Sequence, residues 1–150
     1  MADATLAFVY NYVRDLAAVR RFYTELVGLP EKAYDERYGY LCYKTGALEF
    51  MFFRAEGDVP PPPGGGEWAL QPGYDGGRAA VTSWSILVAA EAYAATVARL
   101  KAANVPRWRD APDWRVDSYW GFTVRDPAGN TVEVYVIPAA KPASTAWPAE

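Results

Sequence analysis

Two glutamates, Glu49 and Glu133, are the side chains of this sequence best suited to chemistry. Glu133 lies in the stretch TVEVYV, where valines alternate with other residues, so a strand would bury the valines and turn Glu133 to the opposite face. A carboxylate among uncharged neighbours is costly unless it is hydrated, paired or bound to a ligand. Both glutamates are therefore candidate catalytic bases, candidate charge contacts for a ligand, or hydrogen-bonded carboxylates without a chemical role.

Other chemistry is limited because the sequence has no histidine and one cysteine, Cys42. Histidine triads, histidine general bases and histidine-containing metal sites are excluded, and a single thiolate cannot form a zinc site. Cys42 has no recognisable base to activate it, so we interpret it as a small core residue.

Length and composition predict one soluble, cytoplasmic domain. A chain of 150 residues with 51% hydrophobic content can bury one sizeable core. The N-terminus lacks a signal pattern, no apolar run reaches membrane-spanning length, and the lone cysteine fits a reducing compartment. The net charge of −3 and the scattered basic residues favour neither nucleic acid nor a membrane as a partner.

One pattern of elements occurs twice, in module 1 at about residues 5–55 and in module 2 at about residues 81–138. The first module reads as a strand, a helix capped by Asp15 and ended by Gly28, a strand near Tyr34, and a hairpin that turns at Thr45-Gly46. The pattern predicts an α+β fold of paired βαβββ modules.

The second module reads as a strand over 81–88, a helix over 89–103 and a hairpin over 121–136 that turns at DPAGN. Placing Arg125 opposite Thr131 puts Thr123 across from Glu133. Proline- and glycine-rich residues 56–80 form a linker, and residues 139–150 are predicted to be a loosely held tail.

The motifs FYTELVGL, LEF and DPAGNTVEV, in this order, resemble the vicinal oxygen chelate superfamily in its glyoxalase and bleomycin-resistance branch. The resemblance implies a cupped mixed sheet with helices outside, a cavity inside, and commonly a homodimer. Its four metal-ligand positions fall on Phe8, Glu49, Ser83 and Glu133. Because a ring and a hydroxyl replace two imidazoles, we expect no functional metal and no cofactor.

Strand alternation predicts the residues that would line this cavity. If the two glutamates face inward, so do the small core residue Cys42 and a set of mostly aromatic or small polar side chains. The predicted ligand-binding residues are Phe8, Tyr10, Tyr12, Glu49, Met51, Phe53, Ser83, Ser85, Trp108, Trp114, Trp120, Thr123, Glu133 and Tyr135. The three tryptophans would wall the mouth, although simple alternation turns Trp120 towards the helices.

Two functions fit this aromatic cavity. The first is a binding protein that sequesters an aromatic antibiotic or a related toxic small molecule, as the resemblance to metal-free resistance members implies. The second is a metal-independent enzyme of lyase or isomerase type in which Glu49 or Glu133 acts as general base. The missing metal ligands favour binding.

Overall fold

The computed structural model describes residues 4–58, 68 and 82–148. The chain divides into two compact units, Met1–Pro62 and Pro63–Glu150. Each unit contains one four-stranded mixed sheet and follows the order strand, helix, three strands. The predicted α+β class with two βαβββ modules is therefore confirmed. In the described residues, no helix is both long and apolar enough to cross a membrane.

The first unit runs through β1 (Phe8–Val13), α1 (Leu16–Arg20), a π-helical segment (Arg21–Val27), β2 (Glu31–Asp35), β3 (Tyr40–Thr45) and β4 (Leu48–Arg54). Its sheet has the order β1-β4-β3-β2, in which β1 and β4 are parallel and the other pairs antiparallel. This order makes β1 an edge strand, and its register places Phe8 directly beside Glu49.

The hydrophobic core of the first unit lies between its helical segments and one face of its sheet. Asp15 caps α1 by accepting a hydrogen bond from the Ala18 amide at 2.9 Å, and Gly28 ends the π-helical segment with a φ of 91°. The buried side chains between the helical segments and the sheet are Leu16, Val19, Phe22, Tyr23 and Val27 from the helical segments and Phe50 and Phe52 from β4. The helical spacing of Leu16, Val19, Phe22 and Tyr23 predicts that Leu26 continues this face. The wider π turn buries Val27 there instead and leaves Leu26 half-buried.

The second unit runs through β5 (Ser83–Leu87), α2 (Ala90–Ala102), β6 (Asp113–Arg115), β7 (Tyr119–Arg125) and β8 (Thr131–Val136). Its sheet has the order β5-β8-β7-β6, with β5 parallel to β8. Tyr93, Val97 and Leu100, which follow helical spacing on one face of α2, are buried together with the valines of β8. Burial of these apolar faces against each other stabilises this unit.

The hairpin of β7 and β8 has the register expected from the sequence. Arg125 pairs with Thr131, and Thr123 pairs with Glu133. In the turn, Asp126 Oδ1 accepts hydrogen bonds from the backbone amides of Ala128 and Asn130 at 2.9 and 2.8 Å, and Gly129 has a φ of 87°. The turn chemistry therefore determines which side chains share a face with Glu133.

The loosely held tail over residues 139–150 stays a prediction, and its described part contains one aromatic side chain with ring contacts. Trp147 packs edge-on against Trp120, with ring centroids 5.0 Å apart, and against Tyr93 at 5.5 Å. These contacts bury part of the Trp147 ring, whereas residues 143–146 and 148 around it are exposed. Most of the predicted linker lies outside the described residues; within it, Trp68 lies beneath the Arg125 guanidinium at 4.4 Å.

Candidate functional site

An exposed aromatic face covers the side of the first sheet that does not carry the helix. We define the aromatic face as Phe8, Tyr10, Tyr12 and Phe53, which are adjacent through the pairing of β1 with β4. Neighbouring ring centroids lie 5.7 to 6.1 Å apart. Phe8, Tyr10 and Tyr12 are 50%, 54% and 63% exposed. Contiguous exposed apolar surface of this kind is typical of an interaction site.

An ion pair adjoins the Phe8 end of the aromatic face. Lys32, at the irregularity in β2, donates to Glu49 Oε1, and the Cys42 thiol lies 3.9 Å from Glu49 Oε2. The hydrogen bond from Lys32 lowers the pKa of Glu49, so this carboxylate is ionised at neutral pH. Burial, followed by the charge of Glu49, raises the pKa of Cys42, which favours the unreactive thiol.

Glu133 lies at the centre of a buried polar network in the second unit. Its side chain is 3% exposed and forms an ion pair with Arg115, whose side chain is 11% exposed. Ser85 donates to Oε2 at 3.0 Å, and the Tyr119 hydroxyl donates to Oε1 at 3.3 Å. A substrate proton would therefore have to compete with Arg115 for the same carboxylate, which disfavours general-base catalysis by Glu133.

Arg115 connects this network to its neighbours. Its Nη2 donates to Thr123 Oγ1 at 2.9 Å and lies 3.3 Å from Asp113 Oδ2. Burial and the charge of Glu133 raise the pKa of Tyr119 to about 12, so its hydroxyl remains a proton donor over the physiological range. The Arg115 guanidinium therefore lies among oxygen acceptors of Glu133, Asp113 and Thr123.

Gly121 provides the space in which the Glu133 carboxylate lies. A Cβ built at this position would be 2.6 Å from Glu133 Oε1 and 3.1 Å from Arg115 Cδ. Gly121 is not among the glycines with positive φ, so its requirement is room and not backbone conformation.

The two sheets place most predicted site residues as strand alternation implies. Phe8, Tyr10, Tyr12, Glu49, Met51 and Phe53 share one face of the first sheet with Cys42, and Ser83, Ser85, Thr123, Glu133 and Tyr135 share one face of the second. Phe8 and Ser83, which the resemblance places at equivalent positions of the two modules, are not equivalent in the strand register. Phe8 is beside Glu49, whereas the residue beside Glu133 is Ser85, because Ser83 pairs with Thr131.

The tryptophans are not brought together with Glu133. Trp114 pairs with Trp120, and Trp120 pairs with Val136, which places both rings on the opposite, helix-covered face of the second sheet. Strand alternation predicts this helix-covered face for Trp120. Trp108 instead lies against Trp68, with ring centroids 6.3 Å apart.

The two cations that pair with the glutamates, Lys32 and Arg115, are not among the site residues predicted from the sequence. Arg115 lies on a strand of three residues, and Lys32 lies at an irregular position of β2, so neither follows a readable alternation. The only available signal is that a buried carboxylate requires a partner. Among the described residues, no cluster of three or more acidic or cysteine side chains has a geometry that could hold a metal ion.

Comparisons with known proteins agree with this architecture. The sequence profile described as the Glyoxalase/Bleomycin resistance protein/Dioxygenase superfamily matches residues 5–134. The chain therefore belongs to this superfamily, which confirms the resemblance. A comparison with curated proteins gave no sequence match.

Solved structures share the fold at low sequence identity. A glyoxalase/dioxygenase from Nostoc punctiforme is 16% identical with a TM-score of 0.65, covering 89% of this chain and 91% of its own. Lactoylglutathione lyase from Agrobacterium tumefaciens is 20% identical with a TM-score of 0.57, covering 91% and 95%. The oxidase ChaP-H2 is 16% identical with a TM-score of 0.62, covering 91% and 96%. These similarities establish the fold alone.

Proposed function

We propose that this protein binds a planar aromatic small molecule on the aromatic face of its first unit and sequesters it without chemical conversion. The observation that carries the proposal is the exposure of three adjacent rings on β1. The opposite face of the same sheet already has a complete core around Tyr23 and Phe52, whose rings are fully buried and stacked 4.9 Å apart. The exposed rings are therefore available for a ligand.

The state of the glutamates supports binding over catalysis. Glu49 is paired with Lys32, and Glu133 is paired with Arg115. Each carboxylate would have to give up a cation before it could accept a substrate proton. The superfamily's description includes bleomycin resistance proteins, while its similar structures include a lyase and an oxidase, so the choice of binding rests on this geometry.

Replacing Tyr10 by alanine should weaken the binding of an uncharged planar probe, 2-naphthol, by about 2- to 12-fold. This range corresponds to the loss of one aromatic contact of about 0.5–1.5 kcal/mol. Isothermal titration calorimetry measures the affinity directly. The matched control is Tyr38→Ala, because Tyr38 is 75% exposed and lies in the turn between β2 and β3, outside the aromatic face.

Equal losses in Tyr10→Ala and Tyr38→Ala would contradict the proposal. Conversion of the probe or of a related metabolite would also contradict the proposal if Glu133→Gln abolished the conversion and the variant remained folded. That result would identify an enzyme. The homodimer and the cytoplasmic location stay predictions from the sequence.

A further inference from the structure

The charges at the Phe8 end of the aromatic face are not balanced. In the strand register, Lys44 of β3 lies opposite Glu49 of β4, and Glu49 lies opposite Phe8 of β1. Lys44, Glu49 and Phe8 therefore lie in one row across the sheet. Lys32 reaches the same glutamate from β2. Two lysines and one glutamate therefore adjoin the first ring of the face.

Lys32 neutralises Glu49, which leaves Lys44 as the excess charge. The side chain of Lys44 is exposed and forms no ion pair within the described part of the chain. Its field contributes to the lowered pKa of Glu49, after the hydrogen bond from Lys32, so Lys44 acts on the same small region. The local charge at this end of the face is positive.

The other end of the aromatic face has a different character. There, Tyr12 and Phe53 lie beside Tyr40, and the nearest acid in the register, Asp35, accepts a hydrogen bond from the Tyr38 amide at 2.9 Å. From Phe8 to Tyr12 the strand advances about 13 Å, which is enough for a fused ring system with one charged substituent.

We propose that the ligand is an aromatic anion, with its rings on Tyr10, Tyr12 and Phe53 and its carboxylate or sulfonate beside Lys44. This inference rests on the proposed function, because it assigns the charge of the molecule that the aromatic face binds. A carboxylate next to Lys44 gains an attraction that an ammonium group would find repulsive. Lys44 is therefore a specificity-determining residue.

Three probes with one ring system test the charge. These are 2-naphthoate, 2-naphthamide and 2-naphthylmethylammonium, measured by calorimetry in low salt. We expect 2-naphthoate to bind tightest and the ammonium probe weakest. Lys44→Gln should weaken 2-naphthoate by about 1.5- to 5-fold, as expected for an exposed charge contact, and should leave 2-naphthamide unchanged. Lys101→Gln, an exposed lysine on α2 in the second unit, is the matched control.

The outcomes separate this inference from the proposed function. If 2-naphthamide binds and Tyr10→Ala weakens it, but the ammonium probe binds as well as 2-naphthoate or Lys44→Gln has no effect on 2-naphthoate, the anion preference is overturned and the aromatic site stands. If none of the three probes binds, both are overturned.

Discussion

Replacing Arg115 by methionine should lower the free energy of unfolding by about 3–5 kcal/mol, the usual cost of removing one partner of a buried ion pair. Glu133 is then left almost fully buried without its cation, and its remaining side-chain donors among the described residues are the hydroxyls of Ser85 and Tyr119. Urea unfolding followed by tryptophan fluorescence measures the loss.

Two companion variants make this result specific. Arg109→Met breaks an ion pair to Asp113 whose arginine is 62% exposed, and it should cost less than about 1 kcal/mol. The double variant Arg115→Met with Glu133→Leu removes both charges and should recover much of the loss, because an apolar pair leaves no unpaired carboxylate. An Arg115→Met protein as stable as Arg109→Met would show that the pair does not hold this unit together.

Replacing Gly121 by alanine should lower the free energy of unfolding by about 1–3 kcal/mol, the typical cost of overpacking. The added methyl group would lie 2.6 Å from Glu133 Oε1, so the carboxylate must move away from Arg115. Thermal or urea unfolding provides the measurement.

The Glu133→Asp background identifies the cause, since the shorter side chain withdraws the carboxylate from residue 121. The cost of Gly121→Ala should be smaller in that background than in the parent protein, a coupling that a double-mutant cycle detects. An equal cost in both backgrounds would place the effect of the methyl group elsewhere.

The fold was readable from the sequence wherever local chemistry determines geometry. The Asp126–Asn130 turn and the valine alternation were sufficient to place Thr123 opposite Glu133, and the Asp15 cap was sufficient to start the first helix. The π-helical turn could not be predicted from the sequence, because Leu26 and Val27 are both apolar and only packing decides which of them is buried.

Only part of the candidate site could be predicted from the sequence. Strand alternation predicts the sheet faces that carry the exposed rings and both glutamates, but it does not reveal which cation reaches a carboxylate from a neighbouring strand. Arg115 reaches Glu133 because β6 pairs with β7 over three residues, and so short a strand has no recognisable period. The shift from Ser83 to Ser85 has the same origin, since parallel register depends on the whole crossover.

The most direct test of ligand binding on the aromatic face is a nuclear magnetic resonance titration of isotopically labelled protein with 2-naphthoate. Ring currents from a stacked probe shift the resonances of the rings it contacts. We predict that the largest changes fall on the ring resonances of Phe8, Tyr10, Tyr12 and Phe53, and that the buried rings of Tyr23 and Phe52 respond little. Saturable binding that leaves the four resonances of the aromatic face unchanged would contradict the account.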